Sequence, residues 1–124
     1  MKLIIKTTII LAMIISFPVN AECNYPEKVK IPNGVNSTTD EFKLGYQAVK
    51  AWIVKMDDYL LCVDKETTAS ITLLKINREL TPDVQKRIIE LQEKKYNAAV
   101  DDQQKVAQRL NEQVRAYKSA QAGN

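Results

Sequence analysis

A run of apolar residues at alternating spacings of four and three constrains this chain more than any other feature of its sequence. Such spacing places every member on one face of an α-helix, and over three heptads it is typical of coiled-coil packing. The run consists of Phe42, Tyr46, Val49, Ile53, Met56, Leu60 and Val63. Just before it, Thr38 and Glu41 form the capping-box pair that starts a helix. The pattern therefore predicts a helical segment over residues 38–80.

A second apolar stripe lies beside this seam and predicts that the helix packs against more than one neighbour. Its members are Leu44, Ala48, Ala51, Trp52, Tyr59 and Cys62. Beyond Val63 the seam resumes out of register, and the β-branched Thr67 and Thr68 disfavour helix there. The sequence leaves open whether residues 39–80 form one helix, or two helices with a break near 65–68.

The stretch Leu80-Thr81-Pro82-Asp83 marks a stop and a restart. Threonine suits an N-cap, proline the first helical position and aspartate the first turn. A second helix is predicted over residues 82–119. Its inner face is expected to consist of Val84, Ile88, Leu91, Tyr96, Ala99, Val106, Leu110, Val114 and Tyr117. Because the connection is short, the two segments, each about 60 Å long, must reverse on each other. The predicted fold is all-α, an antiparallel hairpin of two long helices.

Residues 1–21 have the pattern of a cleaved secretory signal peptide. Two lysines form a basic start, an apolar run follows, and Val19-Asn20-Ala21 offers small residues where signal peptidase cuts. One alternative is an uncleaved anchor, for which the run is short of the about 20 apolar residues of a membrane span. Another is a lipid anchor on Cys23, although Glu22 stands where lipoprotein signals have a small residue. The sequence predicts a periplasmic or secreted protein with no membrane span after cleavage.

Removing this segment changes the net charge. The chain has 18 Lys and Arg residues; without Lys2 and Lys6, 16 basic residues stand against 15 acidic ones, a net charge of +1. Charges of both signs are interspersed, and no basic body indicates nucleic-acid binding. The chain has no histidine, so it lacks the commonest general base and transition-metal ligand. Its three glycines form no phosphate-binding loop. We therefore expect no enzyme activity, no catalytic residue, no metal and no cofactor.

Residues 22–37 contain Pro26, Pro32 and Gly34 and are predicted to form an extended arm. Two cysteines in an oxidising compartment most simply form one disulfide, Cys23–Cys62, with intermolecular pairing as the alternative. Cys62 lies about 35 Å along the first helix, and the extended arm reaches about 50 Å. The arm can therefore fold back to Cys62 and cover the second stripe. The expected bond is structural, because nothing in the sequence indicates a redox-active thiol.

A polar stretch of the second helix is the candidate partner face. Its residues are Asn97, Asp101, Gln104, Asn111, Glu112 and Arg115. The functional interpretation is a recognition surface for a protein partner. The alternative is a solvated helix face that is stabilised by i,i+4 pairs such as Asp101–Lys105.

Several stretches resemble a group of small secreted or periplasmic proteins of Gram-negative bacteria. They are the turn Ile31-Pro32-Asn33-Gly34, the helix that includes Val49-Lys50, Met56 and Tyr59-Leu60, and the segment from Lys95 to Lys118. The resemblance covers most of the exported chain except about residues 64–90. It implies a helical, exported, disulfide-containing protein. The group has no assigned activity, so the resemblance carries over no functional residue.

Three functions are compatible with these features. The first is a structural or interaction protein of the periplasm, which binds a protein partner or a second copy of itself. The second is a holdase-like chaperone, since helical hairpins suit that work. The third is an inhibitor of an envelope enzyme. Inhibition would need a protruding loop, for which residues Pro32 to Ser37 are the candidate, and replacing Asn33-Gly34 would then leave the fold intact.

Overall fold

The computed structural model describes residues 22–123 and contains two helices in that range. They are α1 (Thr39–Ile76) and α2 (Pro82–Ala122), and no strand occurs among the described residues. An extended arm, residues 22–37, precedes α1. The predicted all-α fold is confirmed. The predicted signal peptide, residues 1–21, lies outside the described part of the chain.

The first helix is continuous through the stretch in which a break was left open. Its start is the predicted capping box: the Thr38 side chain accepts from the Glu41 backbone N–H, and the Glu41 carboxylate accepts from the Thr38 N–H. The backbone hydrogen bond from Thr38 holds the pKa of Glu41 below its ordinary value. The hydroxyls of Thr67 and Thr68 donate to the carbonyls four residues earlier, at 2.9 and 3.0 Å. These threonines therefore satisfy their polar groups inside the helix, which runs on without a break.

The predicted ends of both helices need correction. The first helix ends at Ile76 rather than at residue 80, because Arg78 takes a left-handed conformation with φ of 60°. The Arg78 N–H donates to Lys75 O and the Glu79 N–H to Leu74 O, the two bonds of a Schellman cap. Glycine is the usual residue at this position. Because arginine occupies it here, the sequence contains no signal for the end of α1. The second helix runs to Ala122, three residues beyond the predicted end.

The two helices pair as an antiparallel hairpin. Near the open end, the Tyr117 ring stacks on Phe42 with centroids 4.2 Å apart. Further along, Gln103 donates to the Ile53 carbonyl at 3.2 Å. Nearest the connection, Gln92 donates to Asp64 at 2.6 Å. Partner positions thus rise on one helix as they fall on the other, as the short connection predicted.

The hairpin divides into two parts that differ in burial. We call residues 22–63 and 99–122 the base half, and residues 64–98 the tip half. All buried apolar side chains of the described chain lie in the base half: Phe42, Val49, Trp52, Met56, Tyr59, Val63, Ala99 and Leu110. No described side chain of the tip half is buried. The core is therefore confined to the part of the hairpin along which the arm runs.

This division corrects part of the predicted core. Tyr46 of the seam is 39% exposed, and Leu91 of the expected inner face of α2 is 55% exposed. In the second stripe, Trp52 and Tyr59 are buried, whereas Leu44 is exposed. Helical spacing identifies which residues share a face, but burial also requires an element that covers that face. The structure supplies such an element only along the arm.

Candidate functional site

The arm lies against the hairpin and is held by side-chain contacts from both helices. The Trp52 indole N–H donates to the Glu27 carbonyl at 2.7 Å. The Tyr25 hydroxyl donates to Asp102 on α2 at 2.7 Å, and the Tyr25 ring meets Tyr59 edge to face at 4.9 Å. The arm forms no strand ladder, and these contacts satisfy the Glu27 carbonyl and the Tyr25 hydroxyl in place of a sheet. The arm acts as a third layer over the base half.

A disulfide joins the amino-terminal end of the arm to α1. Cys23 and Cys62 are bonded, with their Cα atoms 5.7 Å apart, and both side chains are half-buried. This confirms the predicted intramolecular pairing. No described cysteine is free. The bond closes a loop between residues 39 positions apart, so it constrains the unfolded chain and pins the arm to the middle of α1.

The other end of the arm is a turn that is packed against α2. The Gly34 N–H donates to the Gln113 side chain at 2.7 Å, and Asn33 Oδ1 accepts from two following backbone N–H groups at 2.9 Å. A methyl group at Gly34 would overlap the Gln113 carbonyl oxygen and lie 2.7 Å from the Tyr117 nitrogen. The expectation that Asn33-Gly34 is a replaceable, protruding loop is therefore wrong. The close approach of two backbones there requires glycine.

The tip half is held together mainly by polar contacts across the hairpin. Gln92 donates to Asp64 at 2.6 Å, and Lys95 Nζ lies 3.4 Å from Glu66 Oε2. Several of its large aliphatic side chains are exposed, among them Leu73 at 59%, Ile76 at 71% and Leu91 at 55%. Large apolar side chains are also exposed in the base half, but only in the tip half do they adjoin a stretch of the hairpin in which no described side chain is buried. Contiguous exposed apolar surface indicates a binding site more often than scattered apolar side chains do. The tip half is the candidate site that the structure adds.

A groove between the two helices runs through the tip half, and we call it the tip groove. It contains a cavity of about 110 Å³. The lining residues are Val63, Glu66, Thr67 and Ser70 of α1 with Ile88, Leu91, Gln92 and Lys95 of α2. A larger open cavity of about 810 Å³ adjoins Cys23 and Cys62 and extends along α1 to Leu73. The larger cavity adjoins the described arm at Glu22 and Cys23, and the smaller cavity is lined by the two helices alone.

The predicted polar face lies elsewhere, on the outer side of α2. All six residues are exposed: Asn97, Asp101, Gln104, Asn111, Glu112 and Arg115. Asp101 forms an ion pair with Lys105, and Glu112 accepts from Gln108 at 3.2 Å. The hydrogen bond that Lys105 donates to Asp101 raises the pKa of Lys105. Both contacts are i,i+4 pairs along one helix, as a solvated face would have. The sequence indicates this polar face but not the tip groove, because the groove depends on how far the arm covers the two helices.

The cysteines and acidic residues of the described chain form no metal-binding cluster. No group of three or more Cys, Asp or Glu residues in the range 22–123 is arranged to hold a metal ion. Asp57 accepts from Gln103 at 2.7 Å, a contact between the helices. No buried side-chain polar atom of these residues lacks a hydrogen-bond partner. Neither α1 nor α2 carries an apolar stretch long enough to cross a lipid bilayer.

Comparison with protein-family models, with curated proteins and with solved structures found no match to this chain. The resemblance to the group of exported bacterial proteins therefore stays a prediction. The function has to be argued from the geometry of the hairpin itself.

Proposed function

We propose that this chain is an exported interaction protein that binds a protein partner on the tip half of its hairpin. The proposal rests on a difference between the two halves: the arm covers the helices in the base half, and no described residue covers them in the tip half. The arm buries the base half, whereas the tip half presents Leu73, Ile76 and Leu91 with nothing of the described chain over them. Burying such side chains against a partner is worth about 25 cal/mol per Å² of apolar surface. Association through the tip half would therefore bury apolar side chains that the arm does not cover.

Periplasmic or secreted localisation is part of the proposal. It is supported by the signal-like residues 1–21 and by the Cys23–Cys62 bond, since disulfides persist in oxidising compartments. Enzyme activity is not proposed, because the chain has no histidine and its sequence offers no activated nucleophile. Inhibition through the loop Pro32 to Ser37 is disfavoured, since Gly34 is buried against α2.

A holdase-like chaperone is the second candidate function. The exposed aliphatic side chains of the tip half favour it, because they could hold unfolded apolar segments without a fixed sequence. The two functions differ in partner range. An interaction protein has one or a few partners, whereas a holdase takes many unfolded ones.

Site-specific photocrosslinking in cells that export the chain tests both. A photoreactive residue is placed at Leu73 in the tip half, at Leu44 in the base half, or at Gln104 on the polar face. All three positions are exposed, so they form a matched set. One dominant partner at Leu73 alone supports the proposal, and a broad set of unfolded proteins there supports the holdase. Adducts at Gln104 alone would overturn the assignment of the site, and adducts to the chain itself would make a second copy the partner.

A further inference from the structure

The path of the arm shows how the hairpin binds an extended chain. On α1 the arm meets residues one heptad apart: a Cβ at Gly45 would lie 2.6 Å from Pro32 Cβ, Trp52 donates to the arm backbone, and Tyr59 packs on Tyr25. Positions one heptad apart lie on one face of a helix. The next two members of the series are Glu66 and Leu73. The surface that the arm uses therefore continues past Cys23 into the tip half.

The face of α2 that contacts the arm also continues into the tip half. Asp102 accepts the hydroxyl of Tyr25. Lys95 and Ile88 lie one and two heptads before it and line the cavity of about 110 Å³ together with Glu66 and Ser70. The tip groove is thus an extension of an interface that is already occupied by part of this chain, and it begins where that part ends.

We propose that the tip groove binds an extended, uncharged segment of the partner protein, with one aliphatic side chain in the cavity of about 110 Å³. This rests on the proposed function, which places a protein partner on the tip half. A cavity of roughly 150 Å³ holds benzene, so the volume here suits a small aliphatic group. The apolar part of the lining comes from Val63, Ile88 and Leu91.

The polar lining favours an extended segment over a helix. An extended chain without a sheet exposes its backbone N–H and C=O groups, which need partners on the surface that it contacts. Trp52 and Gln113 supply such partners to the arm. In the tip groove, the Ser70 hydroxyl stands in the same role, whereas Gln92 already donates to Asp64. A helix satisfies its own backbone and would gain nothing from this hydroxyl.

The charges of the groove favour an uncharged segment. The two ionised side chains that line the cavity are Glu66 and Lys95, and they already pair with each other at 3.4 Å. An additional charge laid between them would gain attraction from one and repulsion from the other. The recognition therefore depends on the aliphatic anchor and on the backbone contacts.

The probe is a display library of random 12-residue peptides, selected against the oxidised exported chain. Ser70→Trp fills the cavity, and Leu44→Trp places the same side chain at an exposed position of the base half. We expect peptides that share an aliphatic residue in an extended, proline-compatible context. They should bind the wild-type chain and Leu44→Trp equally and lose about tenfold or more in affinity with Ser70→Trp. Circular dichroism of each variant checks the fold.

Ser70→Ala gives a second test that removes the polar partner without filling the cavity. It should also lower the affinity of the selected peptides. Equal binding to Ser70→Trp and wild type, selection of amphipathic helix formers, or no selected peptide would overturn the proposal. If crosslinking at Leu73 finds a partner but Ser70→Trp does not change the affinity of the peptides, the proposed binding mode is wrong and the proposed function is supported. If Ser70→Trp weakens peptide binding but crosslinking at Leu73 captures no protein in cells, the groove binds peptides and the proposed function is wrong.

Discussion

The base half and the tip half are built from the same two helices, yet only the base half has a core. In the base half the arm covers Trp52 and Tyr59, and Met56 and Val49 beneath them are fully buried. In the tip half, the paired helices leave every described side chain at least partly exposed. The difference between the two halves is the arm.

Two paired helices without a third element do not exclude water from the contact between them. A helix that buries a wide stripe needs a second neighbour, and here 16 residues of irregular chain provide it. Where this neighbour is missing, polar contacts such as Glu66–Lys95 hold the helices together. Exposed ion pairs stabilise by only about 0–1 kcal/mol. The tip half is therefore the less stable half, and the described arm leaves its groove uncovered.

The largest expected effect comes from releasing the arm. Replacing both cysteines, Cys23→Ser with Cys62→Ser, removes the constraint on the unfolded chain and should lower the free energy of unfolding by about 4 kcal/mol. Trp52 would lose its cover, so its fluorescence should shift to the red. Denaturant unfolding measures the first effect, and chemical reduction of the wild-type chain is the matched control. A loss below about 1 kcal/mol with unchanged fluorescence would mean that the arm is held without the bond.

A pair of truncations compares the two halves directly. Met56→Ala leaves a cavity in the base core, because Met56 is fully buried, and should cost about 3 kcal/mol. Leu73→Ala in the tip half removes a side chain that is 59% exposed and should change stability by less than about 0.5 kcal/mol. Thermal and denaturant unfolding of both variants provide the measurement. Similar losses at the two sites would contradict the division into a packed half and an open half.

The turn at the carboxyl-terminal end of the arm gives the next largest effect. Gly34→Ala places a methyl group against the backbone of α2 and should destabilise the chain by about 2 kcal/mol. Gly123→Ala is the matched control, since a methyl group there would lie 3.8 Å from the nearest atom. It should have almost no effect. Equal stability of the two variants would show that the arm does not contact α2 at Gly34.

The smallest effect concerns Tyr25. Burial of the ring, followed by the bond to Asp102, raises the pKa of Tyr25 above its ordinary value of 10.0. The folded arm thus keeps its proton while the unfolded chain loses it, so this contribution falls as pH rises above 10. Because Tyr25 is 43% exposed, Tyr25→Phe should cost under about 1 kcal/mol at neutral pH.

The stability difference between wild type and Tyr25→Phe should then shrink as pH rises from about 8 to about 11. Tyr46→Phe, at another exposed tyrosine of the base half, serves as control. Denaturant midpoints at each pH give the measurement. A constant difference across this range would show that folding does not raise the pKa of Tyr25.

Local signals in the sequence predicted most of the fold. The capping box at Thr38, the Thr81-Pro82 restart and the spacing of the seam are short-range patterns, and each appears in the structure. The pairing of Cys23 with Cys62 followed from having two cysteines and an arm of sufficient reach. The end of α1 could not be predicted, because nothing in the sequence indicates that Arg78 adopts a positive φ.

The candidate site could not be predicted in the same way. Spacing placed Leu91 on an inner face, although no neighbour covers that face in the tip half. Composition placed Gln104 on a polar face, which it occupies, but polarity alone does not separate recognition from solvation. The tip groove lies beyond Cys23, where the disulfide fixes the described arm to α1, and the extent of a covering layer is a property of the folded chain.

Hydrogen exchange of the oxidised chain tests whether the arm stabilises the base half and leaves the tip half open. We expect amides between Met56 and Val63 to exchange only through global unfolding. Amides between Ser70 and Ile76 should exchange through local opening, faster by roughly two orders of magnitude. Equal protection in the two segments would contradict the account, because the tip half would then be as firmly packed as the base half.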